Sequence, residues 1–206
     1  MGLGQREGVP ARRFGVFGGT FDPIHVGHVG VAEAARHAVP LDLIFFVPAA
    51  RPRLRSTAPV ASIDHRVAMV RLAVHDLAWA RLSMVDAVRP GPAYSVDTLR
   101  DLRLELGEAA DLYLIFGADS LTSLPEWKNP GELAGMARLV CVGRPGSVRP
   151  SELPPGHPGR GAMYVEGPMA EVSATVISKR IKSGKPTTGM LHRSVARYIE
   201  QNRLYR

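Results

Sequence analysis

The stretch "RFGVFGGTFDPIHVGHVGVAEAARHA", residues 13–38, is the segment of the sequence that indicates the fold class most clearly. It runs from a short apolar segment through a glycine pair and an Asp-Pro turn into a long segment with a helical pattern. A strand that passes through a glycine-rich turn into a helix is typical of the first βα unit of an open α/β sheet. The stretch also carries two histidines, His25 and His28, at the start of the helix, and their presence there needs a reason.

Apolar runs alternate with helical patterns along the rest of the chain. The runs cover residues 41–49, 81–88, 111–119, 138–144 and 162–167, and several are apolar almost throughout. Such runs are expected of parallel strands that are covered by helices on both faces. The sequence therefore predicts an α/β fold, a Rossmann-like doubly wound parallel sheet with helices on both faces and a helical C-terminal end.

The domain organisation is expected to be simple. Residues 1–13 are interpreted as a flexible N-terminal leader, and residues 14–206 as a single domain without internal repeats. Within that domain, residues 144–161 are dense in proline and glycine and predict a surface loop.

Composition narrows the function without deciding it. The 206 residues include 26 Lys and Arg against 19 Asp and Glu, a net charge of +7 that favours anionic partners. A nucleic-acid-binding protein and an enzyme for phosphorylated metabolites would both have such a charge. The single cysteine, Cys141, excludes a disulfide framework, fits a reducing compartment, and is expected to be a buried strand residue.

No segment is apolar enough over its length to predict a membrane span or a signal peptide. We therefore expect a cytoplasmic protein that does not bind a membrane.

The turn between the first strand and the first helix suits a phosphate group. Gly18 and Gly19 let the backbone approach a ligand, Thr20 offers an N–H and a hydroxyl, and the bare amides of a helix N-terminus attract anions. His25 and His28 would lie on one face of the helix and could donate to phosphate oxygens, with added charge if protonated. A zinc site or two surface histidines are the alternatives, although no third ligand lies nearby in the sequence.

Asp22, within the same turn, is interpreted as a turn and capping residue rather than a metal ligand.

Several segments carry a resemblance to a known family. "GGTFDPIHVGH" resembles the motif of the HxGH nucleotidylyltransferase superfamily, and within it the chain most resembles the bacterial nicotinate-nucleotide adenylyltransferases. "IDHRVAMVRLA", "PAYSVDTLRDL" and "LIFGADSLTSLPEW" resemble further segments of that family, so the resemblance runs from about Phe14 to the C-terminus.

The resemblance implies the transfer of AMP from ATP to nicotinate mononucleotide, which gives deamido-NAD and pyrophosphate. Because the attacking phosphate is already an anion, positioning and charge neutralisation would supply most of the rate. His25 and His28 would stabilise charge on the phosphates, with Gly18, Gly19 and Thr20 beside them. Mg²⁺ would arrive with ATP, held by the triphosphate and water rather than by protein ligands.

The remaining ATP contacts are also implied by the resemblance. Gly117 and Asp119 match a segment that contacts ribose and adenosine, with a helix N-cap as the alternative role of Asp119. Arg55 stands where the family has a phosphate-binding lysine, so the charge is kept, with a solvated basic loop as the alternative.

The C-terminal signature departs from the family pattern. Ser173 and Thr175 match it and could cap a helix that faces the triphosphate, but Ser178 stands at the arginine position. The missing charge would then come from Lys179 or Arg180, and the sequence leaves that choice open.

For the acceptor, the resemblance implies a pocket formed by Tyr94, Ser95, Trp127 and Lys128. Trp127 matches a tryptophan that stacks on the pyridine ring, and packing in the core is its alternative. Ser95 takes the place of a threonine that recognises the nicotinate carboxylate, and Lys128 could attract the same group.

Other functions stay open at this stage. Nicotinamide mononucleotide or pantetheine phosphate could be the acceptor, or the chain could be a catalytically silent relative. Nucleic-acid binding is disfavoured because the basic residues are spread out and no aromatic stripe interleaves them. A homodimer is plausible.

Overall fold

One open sheet of parallel strands organises the structure, a computed structural model that describes residues 12–52, 58–168 and 172–206. Within those ranges the six strands are β1 (Arg13–Gly19), β2 (Leu43–Pro48), β3 (Ala80–Leu82), β4 (Asp111–Gly117), β5 (Arg138–Gly143) and β6 (Met163–Glu166). Their order across the sheet is β3-β2-β1-β4-β5-β6, and each neighbouring pair is parallel.

Helices connect the strands and continue beyond the last one. In the described residues they are α1 (Val26–Ala38), α2 (Ile63–Val74), α3 (Val85–Val88), α4 (Ser95–Leu106), α5 (Pro130–Met136), α6 (Ala174–Lys182) and α7 (Arg193–Gln201). Short 3-10 turns occupy Ala118–Ser120, Leu124–Glu126 and Pro150–Glu152. The last two helices form the helical C-terminal end that the sequence predicts.

Each face of the sheet carries its own apolar core. In β1, Phe17 belongs to the core beneath α1, α2 and α7, whereas Val16 belongs to the core beneath α3, α4 and α5. Neighbouring residues of a strand point to opposite faces, so a strand buried on both sides must be apolar at every position. This arrangement confirms the predicted doubly wound α/β fold. Cys141 in β5 is fully buried, as expected, and burial raises the pKa of its thiol to about 11.

Two predicted boundaries are wrong. The run 81–88 is not one strand, because β3 ends at Leu82 after pairing with three residues of β2, and Val85–Val88 form the short helix α3. The predicted leader is also too long at its end. Arg13 already belongs to β1, and its N–H donates to Asp42 at 2.7 Å. Residues 1–11 of that leader lie outside the described residues.

The proline- and glycine-rich segment 144–161 is a surface loop with an apolar anchor. Leu153 is buried, and its carbonyl accepts a hydrogen bond from the Arg160 guanidinium. Gly159 packs so closely on Leu121 that an added Cβ would lie 2.7 Å from that side chain. The loop therefore packs onto the core beneath α4 and α5, which composition alone does not reveal.

The connections leave a crevice at one edge of the sheet. The chain moves outward from β1 to β2 and β3, and then returns to the other side of β1 with β4. Ligands of such sheets bind at the carboxyl ends of the strands where the winding reverses. The fold therefore predicts a ligand-binding site at the carboxyl ends of β1 and β4.

Candidate active site

A cleft of about 760 Å³ lies over the carboxyl ends of β1, β4 and β5. Eleven of the residues predicted for the site line it: Gly18, Gly19, Thr20, His25, His28, Ser95, Gly117, Asp119, Trp127, Ser173 and Thr175. Tyr94, Lys128, Lys179 and Arg180 do not line it. Arg55 lies outside the described residues.

The two glycines at the end of β1 have different roles. A Cβ at Gly18 would meet nothing within 4 Å, so this position leaves open space beside the cleft. A Cβ at Gly19 would lie 2.9 Å from the Phe21 ring. The backbone of Phe21 has a positive φ of 50°, and its side chain packs back against the turn. Gly19 is thus needed because a side chain there would clash with Phe21. Gly18 leaves space for a ligand to approach the turn.

His25 and His28 form a stacked pair at the start of α1. Their ring centroids are 3.7 Å apart, and the N–H of His25 donates to Nδ1 of His28 at 3.2 Å. Because a backbone N–H can only donate, Nδ1 of His28 must be the acceptor. In neutral His28 the proton therefore resides on Nε2, which makes Nε2 the hydrogen-bond donor.

His25 is buried, with 8% of its surface exposed. Burial lowers the pKa of its imidazole from 6.5 to about 4, because the charged form would lose its hydration. At neutral pH, His25 is therefore uncharged. The sequence left open whether His25 adds positive charge to a phosphate site. The neutral ring can donate one hydrogen bond to a phosphate oxygen but adds no positive charge.

Gly27 allows the His25 ring to adopt its position. A Cβ on Gly27 would lie 3.0 Å from Nδ1 and 3.1 Å from Cε1 of His25, and 3.6 Å from the carbonyl oxygen of Val172. The glycine of the "HVGH" sequence thus lets the ring pack against the helix backbone.

Three helices begin at the cleft. The first-turn residues Gly27 of α1, Ser95 of α4, and Ala174 and Thr175 of α6 all line it. Within the described part of the chain, the N–H groups of these four residues donate to no acceptor. Free amides and the positive ends of helix dipoles favour anions, so the arrangement suits a ligand with several negative groups.

Two polar residues of the cleft, Asp86 and Thr98, were not singled out from the sequence. The Asp86 carboxylate accepts hydrogen bonds from the Thr98 hydroxyl at 2.7 Å and from Arg89 at 2.6 Å. Burial raises the pKa of Asp86, but the Thr98 hydrogen bond and the Arg89 charge oppose that rise. The only signal in the sequence was an acidic residue within an apolar run, "RLSMVDAV".

Trp127 lines the cleft and packs against the apolar core beneath α3, α4 and α5. Its ring meets Phe116 edge-on at 6.0 Å, and its Nε1 is buried without a hydrogen-bond partner in the described structure. Both predicted roles, core packing and a face for a flat ring, are compatible with this position.

Lys128 and Tyr94 do not line the cleft, although their chain neighbours do. The Lys128 ammonium pairs with Asp97 at 2.8 Å and lies 4.8 Å from the centre of the Tyr94 ring. The predicted attraction of Lys128 for an acceptor carboxylate would require it to leave these partners.

Gly117 and Asp119 follow the end of β4. A Cβ at Gly117 would meet nothing within 4 Å, which again leaves space beside the cleft. Asp119 is exposed and lies 3.7 Å from the Arg144 guanidinium, another cleft residue that the sequence reading missed. Gly117, not Asp119, occupies the N-cap position of the following turn, so the helix-cap interpretation of Asp119 is wrong.

At the start of α6, Ser173 is the N-cap, and its hydroxyl accepts from the N–H of Val176 at 3.2 Å. Thr175 and Lys179 are one helical turn apart and share a face. Arg180 instead donates to the carbonyl of Pro186 at 2.7 Å. Of the two cations, Lys179 is therefore better placed to follow Thr175 toward the cleft.

Asp22 lies in the turn before α1, as predicted, but it does not cap that helix, whose N-cap is His25, so the capping part of the interpretation is wrong. Its carboxylate accepts from the N–H groups of Val60 and Ala61, at 2.7 and 3.1 Å, and from the Tyr205 hydroxyl at 2.7 Å. Asp22 thus fastens two distant parts of the chain to the turn. Its partners lie 38 to 183 residues away in the sequence, so no local pattern indicated them.

Two findings bear on metals and membranes. Within the described ranges, no three His, Cys, Asp or Glu side chains cluster as a metal site would require. Among the helices of the same ranges, none is long and apolar enough to cross a bilayer.

Comparison with known proteins gives consistent results. The sequence model of the family described as "Cytidylyltransferase-like" matches residues 16–180. A protein of Roseiflexus sp. (strain RS-1) described as "Probable nicotinate-nucleotide adenylyltransferase" is 39% identical over 93% of this chain and 97% of its own length. A protein of Gloeobacter violaceus with the same description is 40% identical, over 94% of this chain and 96% of its own length.

Solved structures share the fold. The "Plasmodium falciparum nicotinic acid mononucleotide adenylyltransferase complexed with NaAD" matches with a TM-score of 0.78 at 17% identity, covering 94% of this chain and 97% of that one. The same enzyme complexed with APC matches with a TM-score of 0.76 at 16% identity.

Proposed function

The chain belongs to the cytidylyltransferase-like family and, within it, to the nicotinate-nucleotide adenylyltransferases, and on that premise we propose how its cleft carries out the reaction. The enzyme transfers AMP from ATP to nicotinate mononucleotide, which yields deamido-NAD and pyrophosphate. This is a step of NAD biosynthesis. The observation that carries the proposal is the convergence of three helix N-termini and a histidine pair on one cleft.

The chemistry needs no general base. An oxygen of the acceptor phosphate attacks the α-phosphorus of ATP, and the bond between that phosphorus and the oxygen bridging to the β-phosphorus breaks in line. The electron pair of that bond leaves with pyrophosphate. Because nucleophile and leaving group are both anionic, the protein must hold them close and offset their charge.

The residues at the β1–α1 turn would meet the reacting phosphates. Nε2 of His28 is a fixed donor, since its other ring nitrogen accepts from the backbone. His25 would donate as a neutral ring, and the free N–H of Gly27 would add a third donor. Donors that are already oriented stabilise the developing charge without reorganising during the reaction.

The N-terminus of α6 would meet the departing pyrophosphate. Ala174 and Thr175, whose N–H groups donate to no acceptor in the described structure, line the cleft there, and Lys179 follows one turn later on the face of Thr175. Arg55, which is not among the described residues, would add a further cation from the loop after β2.

At the other end of the cleft, the acceptor base would lie near Trp127 and the start of α4. The Ser95 hydroxyl and N–H would donate to the nicotinate carboxylate, and the Trp127 ring would stack on the pyridine ring. Donors arranged for a carboxylate are left partly unsatisfied by an amide, so the acid is preferred over nicotinamide mononucleotide. Gly117 and Asp119, beside the end of β4, would contact the ribose and adenosine of ATP.

Mg²⁺ would bind with ATP and offset the charge of the triphosphate. The described residues contain no cluster of three acidic or imidazole ligands, and Mg²⁺ usually keeps several waters and phosphate oxygens as ligands. The cytoplasmic location and the homodimer stay predictions from the sequence.

The test is pyrophosphate release from ATP, followed with nicotinate mononucleotide and, in parallel, with nicotinamide mononucleotide. With ATP alone, in the absence of either acceptor, we expect negligible release of pyrophosphate. The kcat/KM for nicotinate mononucleotide should exceed that for nicotinamide mononucleotide by about tenfold or more. Absence of release with either acceptor would refute the proposal. Equal rates with the two acceptors would refute the assigned carboxylate recognition.

A further inference from the structure

Asp86 places a buried carboxylate in the wall of the cleft. The residue belongs to the short helix α3, has 5% of its surface exposed, and lines the cleft. Burial of a carboxylate costs free energy unless hydrogen-bond donors surround its oxygens. The partners of each oxygen therefore indicate whether the group serves the fold alone or also a ligand.

The two carboxylate oxygens of Asp86 differ in their partners. Oδ1 accepts from the Thr98 hydroxyl at 2.7 Å and from the Arg89 guanidinium at 2.6 Å. Oδ2 accepts no hydrogen bond from the residues that the structure describes. Oδ2 is not enclosed either, because the enclosed side-chain atoms without a partner in those ranges belong to other residues: His25, Arg36, Trp127 and His157. Since Asp86 lines the cleft, Oδ2 is an acceptor that is open to it.

The protein holds this carboxylate in place before any ligand binds. Thr98 is 3% exposed, and its hydroxyl approaches Oδ1 from α4. Arg89 is itself held from a second side, because its Nε donates to the Asp101 carboxylate at 3.1 Å. A side chain that is already oriented loses little conformational freedom when a ligand binds to it.

Asp86 lies beside the part of the cleft that the proposed function assigns to the acceptor. Thr98, its partner, follows Ser95 by three residues, so the two lie on one face of α4, and both line the cleft. One turn of helix rises about 5.4 Å. A nucleotide whose base binds at Ser95 therefore has its ribose within reach of Asp86.

The chemistry of the acceptor leaves few groups that could bind Oδ2. A carboxylate oxygen accepts hydrogen bonds, so its partner must be a donor. In nicotinate mononucleotide the carboxylate and the phosphate are anionic acceptors, and the pyridinium nitrogen carries no proton. The two ribose hydroxyls are its remaining donors.

We propose that Asp86 is a specificity-determining residue that accepts a hydrogen bond at Oδ2 from a ribose hydroxyl of the acceptor nucleotide. It thereby selects a ribonucleotide over a deoxyribonucleotide. The inference rests on the proposed function in that it takes the acceptor to be nicotinate mononucleotide with its base at Ser95.

The variants separate this contact from the ion pairs of the same network. In Asp86→Asn the amide oxygen can keep the donors Thr98 and Arg89, and the amide nitrogen then replaces Oδ2. That nitrogen cannot accept a hydrogen bond from a hydroxyl. The matched control is Asp101→Asn, which also removes a carboxylate partner of Arg89, at a residue that does not line the cleft.

The test measures how much each ribose hydroxyl contributes to binding. The Kd values of nicotinate mononucleotide and of its 2′-deoxy and 3′-deoxy analogues are measured by calorimetry, with an ATP analogue that does not react. In the wild type, one of the two deoxy analogues should bind about tenfold more weakly than the ribonucleotide, because a hydrogen bond to a carboxylate is charge-assisted. Asp86→Asn should reduce this ratio about threefold or more, and Asp101→Asn should keep it.

Three results would overturn the inference. Both deoxy analogues could bind the wild type as tightly as the ribonucleotide does. The ratio could change equally in Asp86→Asn and Asp101→Asn, which would indicate a role in the ion pairs alone. Asp86→Asn could weaken the ATP analogue more than the acceptor, which would place the contact on the other nucleotide.

A measurement on the wild type tests the same contact if Asp86→Asn does not fold. The side-chain carboxyl ¹³C resonance of Asp86 should shift on addition of nicotinate mononucleotide. It should shift less with the deoxy analogue that binds more weakly, at equal saturation. The Asp101 resonance should stay in place. An unmoved Asp86 resonance, or equal shifts with all three nucleotides, would overturn the inference.

The two proposals can fail separately. Selective binding of the ribonucleotide through Asp86 without pyrophosphate release from ATP would refute the proposed function and leave the role of Asp86 standing. Pyrophosphate release with nicotinate mononucleotide, together with equal binding of the deoxy analogues, would do the reverse.

Discussion

The burial of His25 makes a specific prediction about acid stability. Its imidazole has a pKa of about 4 in the folded protein, against the ordinary 6.5 in the unfolded chain. Between these values the unfolded chain takes up a proton that the folded protein does not, so acidification favours unfolding. The stabilisation is fully present above pH 6.5, is lost progressively below it, and levels off near pH 4.

The magnitude follows from the same two values. Each pH unit below 6.5 removes about 1.4 kcal/mol of folding free energy until the folded imidazole itself titrates. At pH 5 the loss attributable to His25 is therefore about 2 kcal/mol. Replacing His25 by glutamine removes the titrating group, so the His25→Gln variant should not show this part of the loss.

Urea unfolding at pH 7 and pH 5 measures the effect as a difference of differences. The wild type should lose about 2 kcal/mol more than His25→Gln between the two pH values, because the contributions of other titrating groups cancel. His37→Gln, an exposed position near the end of the same helix, should behave like the wild type. If the wild type and His25→Gln lose the same free energy within about 0.5 kcal/mol, the reasoning from burial is refuted.

Four further changes test other parts of the site. His28→Ala should lower kcat by about 10²–10³, as loss of a transition-state donor does, and near-normal turnover in a steady-state assay would refute its role. Gly27→Ala places a Cβ 3.0 Å from Nδ1 of His25 and should lower kcat with little change in Tm. Gly131→Ala, where the new Cβ meets nothing within 4 Å, should leave kcat unchanged. Trp127→Ala should mainly raise KM for the acceptor, and an unchanged KM would indicate core packing alone. Tyr205→Phe removes the donor to Asp22 and should lower the unfolding free energy in urea by about 1–2 kcal/mol, while an unaltered value would contradict the importance of that contact.

The strands and the phosphate turn could be predicted because their signals are local. The run "DLYLIFG" becomes β4, since a strand covered on both faces is apolar at every position. Likewise, the glycines and histidines of residues 18–28 lie within one turn and the start of one helix, so their sequence spacing already places them together.

The environment of the predicted residues could not be read from the sequence. His25 is buried by packing against the body of the fold, and only that burial determines that the ring is neutral. Lys128 was placed in the acceptor pocket from its neighbour Trp127, but Asp97, 31 residues earlier in the chain, holds it. A charged side chain takes its partner from the tertiary structure, which sequence spacing does not encode.

The contacts of two buried residues at the turn after β1 were missed for the same reason. The Arg66 guanidinium donates to the carbonyl of Thr20 at 2.8 Å, yet nothing in the sequence indicates a contact across 46 residues. Asp22 was assigned a local capping role because aspartate often has one before a helix, whereas its actual partners are Val60, Ala61 and Tyr205.

Nucleotide phosphates are proposed to bind between the histidine pair and the first turn of α6. A crystal structure with an ATP analogue that carries a methylene group between the α- and β-phosphorus would reveal their position. We expect phosphate oxygens within hydrogen-bonding distance of Nε2 of His28 and of the N–H groups of Gly27 and Thr175. A triphosphate bound elsewhere, with both imidazoles free of contact with it, would refute the proposed role of the histidine pair.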